Sequence, residues 1–284
     1  MPALPRSPSP RLVALAALSL LPSACSSGGG GDAPSQPIAD VFGGCSRFAA
    51  IGGPATWQNP ADAMSEACKP PPDQRVCVSG ATIVAIDRYD ETGKGALGNY
   101  YLEDTEKDAD YSGMTIFGPA FSPPDLRLAE GDVVDVVGSR TEFLGPTVGK
   151  FGNCKTLPEV SGTLSFRFDS NRPIAPKVIP VTDLKTYDTA RKHLGKLVTV
   201  KNVTIATDGV GSGGRYTAAL DVGGGISAND VPQVSNELFD LAHYGGDAGP
   251  SGLTMGTTFA SITGVVTYFY GFKIAPRSAA DLEP

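Results

Sequence analysis

The chain has 284 residues, with 23 lysines and arginines against 30 aspartates and glutamates, a formal net charge of −7 and 41% hydrophobic residues. This length corresponds to one large domain or two of ordinary size, with enough apolar chain for well-packed cores. The acidic balance counts against nonspecific nucleic-acid binding, because an acidic surface repels phosphate backbones.

Residues 1–24 are typical of a bacterial export signal. Arg6 and Arg11 precede an apolar run at 12–21, LVALAALSLL. A run of about ten residues is half of what a bilayer-spanning helix needs, so it predicts a signal rather than a permanent anchor. Small residues then lead to Cys25 in the stretch LPSAC. An ordinary signal peptide followed by an unrelated cysteine is the simpler interpretation.

LPSAC also resembles the lipobox of bacterial lipoproteins, with Pro22 three places before the cysteine and Leu21 one step further back. The resemblance implies that Cys25 carries a diacylglyceryl group, that the signal is removed, and that the new amino terminus is acylated, for example with palmitate. Two or more acyl chains hold a protein firmly on a membrane. Because Ser26 follows the cysteine, the resemblance also implies an outer-membrane location, with membrane contact through the N-terminal lipid.

Residues 25–38 predict a flexible tether, because SSGGGGDAPSQP is rich in glycine, serine and proline and has nothing apolar to bury. Removal of residues 1–24, which contain Arg6 and Arg11, would leave 260 residues with 21 basic against 30 acidic side chains, a net charge of −9. The exported protein would therefore be more acidic than its precursor.

Four cysteines remain if Cys25 is lipidated, and an even number in an exported protein predicts two disulfides. The four are Cys45, Cys68, Cys77 and Cys154. Three connectivities are open. We favour Cys45–Cys68 and Cys77–Cys154, because a short helix through AMSEAC would bring Cys68 back toward Cys45.

The segment 39–74 is loop-rich, and an all-β module is predicted for 75–170. Its strands are expected at 76–87, 99–104, 114–118 and 133–145, separated by turn residues typical of hairpins. Residues 171–195 form a linker, with a helix capped by Thr182 or Asp183 that continues to His193 and is closed by Gly195.

Residues 196–284 predict a second β module. We expect strands at 196–208, at 215–222 and around Ile226, an amphipathic helix at 235–244 with Leu238 and Leu241 inward, and a hairpin at 259–276. Setting Gly138 against Gly264 aligns VVGSRTEFLG with ITGVVTYFYG. The matched pairs are then Thr141 with Thr267, Phe143 with Phe269 and Gly145 with Gly271. Two copies of one five-strand unit explain this pattern, the alternative being two unrelated hairpins.

The order of a long first strand, the strand YYLED, and the pattern L-x-x-GD-x-V-x-V-x-G at 128–138 resembles bacterial extracytoplasmic OB-fold domains over residues 75–284. The resemblance implies an all-β protein with two tandem OB-like five-stranded barrels and short helices. Such modules bind ligands on strands two and three and in nearby loops. The implied ligand-binding candidates in the first copy are Tyr101, Arg140, Phe143, Lys150 and Phe151. Those in the second are Arg215, Tyr216, Tyr268, Tyr270 and Lys273, with the cluster YFYGFK at 268–273 the foremost.

No catalytic constellation is recognisable in the chain. GVGSGG at 209–214 has the GxGxxG form, but a strand rather than a helix follows it, which predicts a hairpin loop. EDTEKDAD at 103–110 clusters carboxylates without the spacing of an EF-hand. The sequence has two histidines, no CxxC and no GxSxG, so neither a zinc site nor a cofactor is predicted.

These patterns together predict a noncatalytic lipoprotein, anchored to the outer membrane, that acts as a binding or scaffold module of the bacterial envelope. Its expected partner is an envelope protein or a glycan. The alternative is a nucleic-acid-binding OB-fold protein at the cell surface, which the acidic charge disfavours. The third hypothesis is a metal-dependent hydrolase that uses the acidic loop.

Overall fold

A computed structural model describes residues 45–51, 73–93, 98–104, 109–118, 128–146, 151–152, 155–223, 231–244 and 253–284. The predicted signal, tether, helix through AMSEAC and strand around Ile226 lie outside the described residues, as do Cys25, Cys68, Lys150 and Cys154. Within the described ranges, no helix combines the length and the apolar character needed to cross a bilayer.

Five strands close into a barrel in the first half of the chain. They are β1 (Gln74–Ile86), β2 (Tyr100–Asp104), β3 (Gly113–Phe117), β4 (Val133–Phe143) and β5 (Leu157–Asp169). Their order around the barrel is β1-β2-β3-β5-β4, with β3 and β5 parallel and the other pairs antiparallel. Closure leaves no unpaired sheet edge, and this architecture is compatible with an OB-like fold.

The two-residue period of the strands separates the barrel core from the outer face. Tyr100 and Leu102 on β2 and Ile116 on β3 pack inside the barrel. Tyr101 and Thr115, which alternate with them and pair across the two strands, point to the opposite side. The outer face of β2 and β3 is therefore available to the second half of the chain.

A short N-terminal segment is fastened to β1. Its helix α1 (Phe48–Ile51) places the fully buried Phe48 in the barrel core. Ser46 forms a parallel bridge with Val78, which brings Cys45 beside β1. Cys45 is bonded to Cys77, with their Cα atoms 4.7 Å apart. The predicted pairings Cys45–Cys68 and Cys77–Cys154 are therefore both wrong.

The second half forms another sheet. Its strands are β6 (Lys177–Val178), β7 (Leu197–Thr204), β8 (Val210–Ser212), β9 (Arg215–Ala219), β10 (Gln233–Ser235), β11 (Thr258–Tyr268), β12 (Phe272–Ala275) and β13 (Leu282–Glu283). The order is β6-β7-β11-β12-β10-β9-β8, with β13 added to β11. The pair β10–β12 is parallel. An isolated antiparallel bridge between Ile205 and Leu220 also joins the end of β7 to the end of β9.

The linker is not one continuous helix. It consists of a 3₁₀ turn at Val181–Leu184, the helix α2 (Tyr187–Ala190) and a 3₁₀ turn at Arg191–His193. Thr186, rather than Thr182 or Asp183, caps α2 by accepting a hydrogen bond from the Thr189 amide. Gly195 follows with a φ of +74°, the left-handed conformation that suits glycine.

The helix predicted at 235–244 is absent. Ser235 ends β10, and residues 236–244 form bends and turns. Leu238 and Leu241 are buried, as predicted, but they pack into two different apolar clusters. A helix would present both side chains to a single surface, so the chain here is shaped by two separate cores.

The barrel and the second sheet share one apolar cluster. Val84 and Tyr101 from the barrel pack there with Leu197, Leu238 and Val265 from the second half. The described residues all belong to one compact unit, residues 34–284. Because the two halves have this core in common, the surfaces between them are held in a fixed arrangement.

Two glycines allow the backbones of the halves to touch. A Cβ atom on Gly113 would lie 2.5 Å from the Leu194 carbonyl oxygen, and one on Gly195 would lie 2.3 Å from the Met114 nitrogen. No larger residue fits at either position without moving backbone. This close approach brings β3 against the start of the second half.

Candidate functional site

A cleft of about 230 Å³ lies between the barrel and the second sheet. On the barrel side it is bounded by the outer face of β2 and β3, where Tyr101 pairs with Thr115. On the other side it is bounded by β9 and β10, where Thr217 pairs with Ser235. The second and third strands of the barrel therefore face β9 and β10 of the second sheet across one cavity.

Half of the predicted ligand-binding residues line this cleft. They are Tyr101, Phe143, Arg215, Tyr268 and Lys273. Lys150 lies outside the described residues, and the other four are placed elsewhere. Phe151 packs edge-on against Phe143, Tyr268, Phe269 and Tyr270, with ring centroids 4.9–5.8 Å apart. It supports the aromatic wall of the cleft from behind.

Tyr216 packs against the core of the second half, and Tyr270 lies at the tip of the β11–β12 hairpin with 47% of its surface exposed. Tyr270 has a φ of +57°, in the left-handed region that bulky residues rarely adopt. Neither residue is part of the cleft lining. The cluster YFYGFK thus contributes to the cleft through Tyr268, Phe269 and Lys273.

Arg140 belongs to a buried ionic network instead. Its guanidinium pairs with Glu142, and the Arg191 Nη2 atom lies 2.9 Å from the same carboxylate oxygen. Thr156 donates a 2.6 Å hydrogen bond to the other Glu142 oxygen. This network fastens β4 to the linker, so Arg140 stabilises the fold and does not line the cleft.

Four carboxylates line the cleft, and the sequence analysis did not single them out. They are Asp87, Glu91, Glu159 and Glu237. Burial raises the pKa of Asp87 to about 7, and the charges of Glu91, Glu237 and Asp90 add to the effect. Burial also raises the pKa of Glu159 to about 7, with a hydrogen bond from Thr141 opposing the shift. Burial raises the pKa of Glu91 in the same direction.

Glu237 connects the two walls. Its carboxylate accepts a 2.8 Å hydrogen bond from the Tyr101 hydroxyl and a 2.7 Å hydrogen bond from the Thr267 hydroxyl. Burial, followed by the charge of Glu237, raises the pKa of Tyr101 well above its usual value, which keeps the phenol protonated as a donor. The carboxylate is thus oriented by one group from each half of the protein.

Two cations face these acids. The Arg215 Nε atom lies 3.6 Å from the Glu91 carboxylate, and its guanidinium lies 4.0 Å from the centre of the Phe269 ring. Lys273 donates to the carbonyl oxygens of Phe269 and Gly271. Burial lowers the pKa of Lys273 to about 8, against an opposing effect of the Glu237 charge.

Ser235 is a further polar residue of the cleft, besides the acids and the cations. It is 3% exposed, lines the cleft, and its hydroxyl has no hydrogen-bond partner within the parts of the chain that the structure describes. An unsatisfied buried hydroxyl costs free energy on the order of 1–3 kcal/mol, so each such group calls for an explanation. A ligand in the cleft would supply the partner.

The acidic loop at 103–110 does not form a metal centre with its described members. Glu103 accepts the Leu197 amide and lies near Lys196, and Asp104 accepts the Phe48 amide. Residues 105–108 lie outside the described residues. Among the residues described, no group of three or more histidine, cysteine, aspartate or glutamate side chains could hold a metal ion.

The sequence matches no protein-family model and no curated protein. The chemistry of the site therefore has to be inferred from the cleft itself. The cleft can accept hydrogen bonds through several carboxylates, offer aromatic rings as an apolar wall, and donate through Ser235 and Lys273.

Proposed function

We propose that this chain is a noncatalytic binding protein of the bacterial envelope that holds a saccharide in the cleft between the barrel and the second sheet. The observation that carries the proposal is the combination of buried carboxylates with aromatic side chains in one cavity. Glu159 and Glu237 provide oxygen acceptors, and Phe143 and Phe269 provide apolar surfaces. Ligand sites generally pair a few oriented polar groups with such walls.

A saccharide matches this lining for elementary reasons. Its hydroxyl groups donate hydrogen bonds to ionised carboxylates, which only accept. Its ring faces carry C–H groups that pack on aromatic side chains. The Ser235 hydroxyl, buried without a partner in the described structure, would bond to a ligand hydroxyl. Groups buried in a cleft cost free energy when unsatisfied, so they favour a ligand that satisfies them.

The cleft is preorganised. The cluster shared by Tyr101, Leu197 and Leu238 fixes the two walls, and Gly113 and Gly195 let the backbones of the two halves pack in direct contact. A preformed site loses little conformational freedom on binding. This supports binding of a small ligand rather than the capture of a long, flexible polymer by loops.

We also infer that the two sheets are tandem copies of one OB-like unit. If β7, β9, β10, β12 and β11 take the places of β1 to β3, β5 and β4, the neighbour relations are the same. Each set contains one parallel pair, β3–β5 or β10–β12. The aligned residues Phe143 and Phe269 then line the same cleft, one from each copy.

A nucleic-acid ligand is less well supported. The cleft presents four carboxylates and two cations, and the exported chain would carry a net charge of −9. The acids of the cleft and the net charge of the whole chain would both repel phosphates. Single-stranded DNA titrated at two salt concentrations tests this alternative: tight, salt-sensitive binding would replace the saccharide proposal.

The envelope location is part of the proposal. The disulfide between Cys45 and Cys77 supports export, because such bonds persist outside the reducing cytosol. Lipidation at Cys25 and an outer-membrane location follow from the lipobox resemblance. Intact-mass analysis of the protein extracted from membranes should find residues 1–24 removed and acyl chains on Cys25. A full-length, unmodified chain would overturn the location.

A saccharide screen followed by calorimetry tests the binding function. Phe117 lines the cleft and is 51% exposed, so Phe117→Ala removes a cleft wall without opening a core. We expect this variant to bind on the order of tenfold more weakly, the loss of about 1.4 kcal/mol expected for one packed aromatic. Met255→Ala, at a residue 68% exposed and outside the cleft lining, is the matched control. Equal affinity of the two variants would contradict the proposed site, and turnover of the saccharide would contradict a noncatalytic role.

A further inference from the structure

The acids of the cleft are not evenly distributed. Asp87 immediately follows β1, Glu91 lies in the following turn, and Glu237 follows β10 from the opposite wall. Asp87, Glu91 and Glu237 are called the acidic end of the cleft below. The charges of Glu91 and Glu237 raise the pKa of Asp87 beyond the effect of burial, and the charge of Glu237 does the same to the pKa of Glu91.

We propose that the saccharide bound in the cleft carries a positively charged amino group, which is held at the acidic end among Asp87, Glu91 and Glu237. This inference rests on the proposed saccharide-binding function and adds the chemical class of the sugar. A single ammonium group would offset the repulsion among the three carboxylates. An acidic sugar would increase that repulsion, and a neutral sugar would leave it unchanged.

The protein's own cations meet this charge at Glu91 and Glu237 rather than at Asp87. Arg215 faces Glu91 at 3.6 Å, and its guanidinium also lies over the Phe269 ring. Lys273 directs its ammonium to the carbonyl oxygens of Phe269 and Gly271. Asp87, which is 4% exposed, accepts the backbone amide of Tyr89 at 3.1 Å, and the charges acting on it are those of Glu91, Glu237 and Asp90.

A second observation points independently to a ligand in the same cavity. The Ser235 hydroxyl, buried to 97% of its surface, lines the cleft and makes no hydrogen bond within the described residues. Ser235 ends β10 and lies two residues before Glu237. A sugar whose amino group meets Glu237 would therefore have a neighbouring hydroxyl within the same wall as Ser235.

The spacing of the acids favours an organic cation over a metal ion. A metal would need at least three ligand atoms on one small sphere. Within the described ranges, the acids of this cleft do not form a group that could hold a metal. A primary ammonium has three donors that diverge, so it suits acceptors that are further apart. The aromatic wall beside it also attracts cations.

Binding of an ammonium group at the acidic end should change the protonation of Asp87. Because burial and the neighbouring carboxylates raise the pKa of Asp87 to about 7, part of this group is protonated at neutral pH in the empty cleft. An ammonium arriving beside it would stabilise the ionised form. At pH 5.5, where the sugar amine is fully protonated and Asp87 largely so, binding of an amino sugar should therefore release protons to the buffer, whereas binding of a neutral sugar should not.

The test uses the purified full chain and two probes of equal length, a tetramer of glucosamine and a tetramer of N-acetylglucosamine. Calorimetry at pH 5.5 in two buffers of different ionisation enthalpy measures affinity and proton release together. We expect the glucosamine tetramer to bind at least tenfold more tightly and with net proton release. Glu91→Gln should reduce this preference several-fold, while Asp188→Asn, at an exposed acid on α2 outside the cleft, should not.

The outcomes separate the two proposals. If the acetylated tetramer or another neutral sugar binds as well as the amine, or if the amine binds without proton release, the inference is overturned and saccharide binding stands. If no saccharide of either kind binds, the proposed function fails and the inference fails with it. An unchanged amine preference in Glu91→Gln, together with Asp87→Asn as a second variant, would also overturn the placement at the acidic end.

Discussion

Two strands that align in sequence, β4 of the barrel and β11 of the second sheet, are stabilised by different interactions at aligned positions. The alignment that sets Phe143 against Phe269 also sets Glu142 against Tyr268. Glu142 is the centre of a buried ionic network with Arg140 and Arg191, whereas Tyr268 packs among aromatic rings. These two aligned positions are therefore stabilised by a charge network in one half of the chain and by an apolar cluster in the other.

The linker contacts both of these aligned positions. Arg191, at the end of α2, reaches Glu142 at 2.9 Å, and Tyr187, at its start, contacts the Tyr268 ring at 5.5 Å. One helical turn is thus fastened to both halves, by charge on one side and by an aromatic contact on the other. The halves therefore share an aromatic ring in the cleft at the aligned positions Phe143 and Phe269, while the neighbouring aligned positions Glu142 and Tyr268 differ.

The largest expected effect comes from breaking the ionic side of this comparison. Glu142→Ala would leave two guanidinium groups buried without their carboxylate. Removing one partner from a buried ion pair typically costs about 3–5 kcal/mol. We expect a loss of that size in the free energy of unfolding, measured by urea denaturation. Asp169→Ala, which removes an exposed pair with Arg172, is the control and should change stability little. Equal effects would show that the network does not hold β4 to the linker.

A second prediction concerns two buried groups of opposite charge, one in each half of the chain. Glu159 pairs with Thr141 across β4 and β5, and Lys273 pairs with the aligned Thr267 across β11 and β12. The pKa of Glu159 is raised from 4.5 to about 7, so its contribution to stability is lost as pH rises through that interval. The pKa of Lys273 is lowered from 10.5 to about 8, so its contribution is lost as pH falls from 10.5 through 8.

Stability measured from pH 4 to 11 should therefore respond oppositely to the two substitutions. Glu159→Gln should remove a decline of about 2–3 kcal/mol between pH 4.5 and 7, and Lys273→Met should remove a rise of similar size between pH 8 and 10.5. The wild type is the reference for both. Parallel pH profiles for the two variants and the wild type would contradict the burial of these charges.

The sequence pattern predicted the strands that alternate cleanly and missed those that do not. The hairpin expected at 259–276 and the strands β1 to β4 are confirmed. The strand β5 (Leu157–Asp169) was not predicted, because Pro158 and Gly162 interrupt its apolar alternation. Its place between β3 and β4 is set by tertiary pairing, which outweighs local propensity.

The failed helix at 235–244 has a similar origin. The apolar spacing of Leu238 and Leu241 fits a helix, but each side chain serves a different core. Asn236 and Glu237, which follow β10, form hydrogen bonds with residues distant in the sequence. Asn236 accepts one from the Tyr216 amide, and Glu237 accepts two from side-chain hydroxyls. A periodicity argument cannot distinguish one shared core from two.

The cleft was only partly predictable for the same reason. Aromatic residues of the repeat, such as Phe143 and Tyr268, stood out because the two halves align there. Asp87, Glu91 and Glu237 lie in turns and loops, where acidic residues usually face solvent. They become site residues only because the two halves meet over them, and single-sequence patterns carry no signal for such a meeting.

A third prediction compares how firmly the strands are paired where each half of the chain would close into a ring. In the barrel, β1 and β2 pair over five positions, whereas β7 and β9 meet at the single bridge of Ile205 with Leu220. Hydrogen bonds from the Ala206 and Asp221 amides flank that bridge. We expect these amides to exchange on the order of tenfold faster than those of the β1–β2 ladder, a difference of about 1.4 kcal/mol in opening free energy. Equal protection would indicate that the second ring is closed as firmly as the first.

The smallest effect is expected at the turn that follows the aligned strands. In the first half, Gly145 adopts the left-handed backbone conformation, with a φ of +97°. In the second half, Tyr270 adopts it, one place earlier in the alignment. Glycine adopts this conformation without strain, whereas a side chain costs roughly 1–2 kcal/mol there. Tyr270 also packs against Phe151 and Phe269, with centroids 5.2 and 4.9 Å apart, which offsets part of that cost.

Tyr270→Asn should therefore change the free energy of unfolding by less than about 1 kcal/mol, because relief of backbone strain compensates for the lost ring contacts. Leu144→Asn, at the aligned place in the first copy, has no such strain to relieve and should be the more destabilising of the two. Thermal or urea unfolding of both variants checks the order. If Tyr270→Asn proves the costlier change, the ring contacts outweigh the strain, and the tyrosine is retained for packing. If it is neutral in stability but weakens saccharide binding, the strained turn is kept because it holds Phe269 against the cleft.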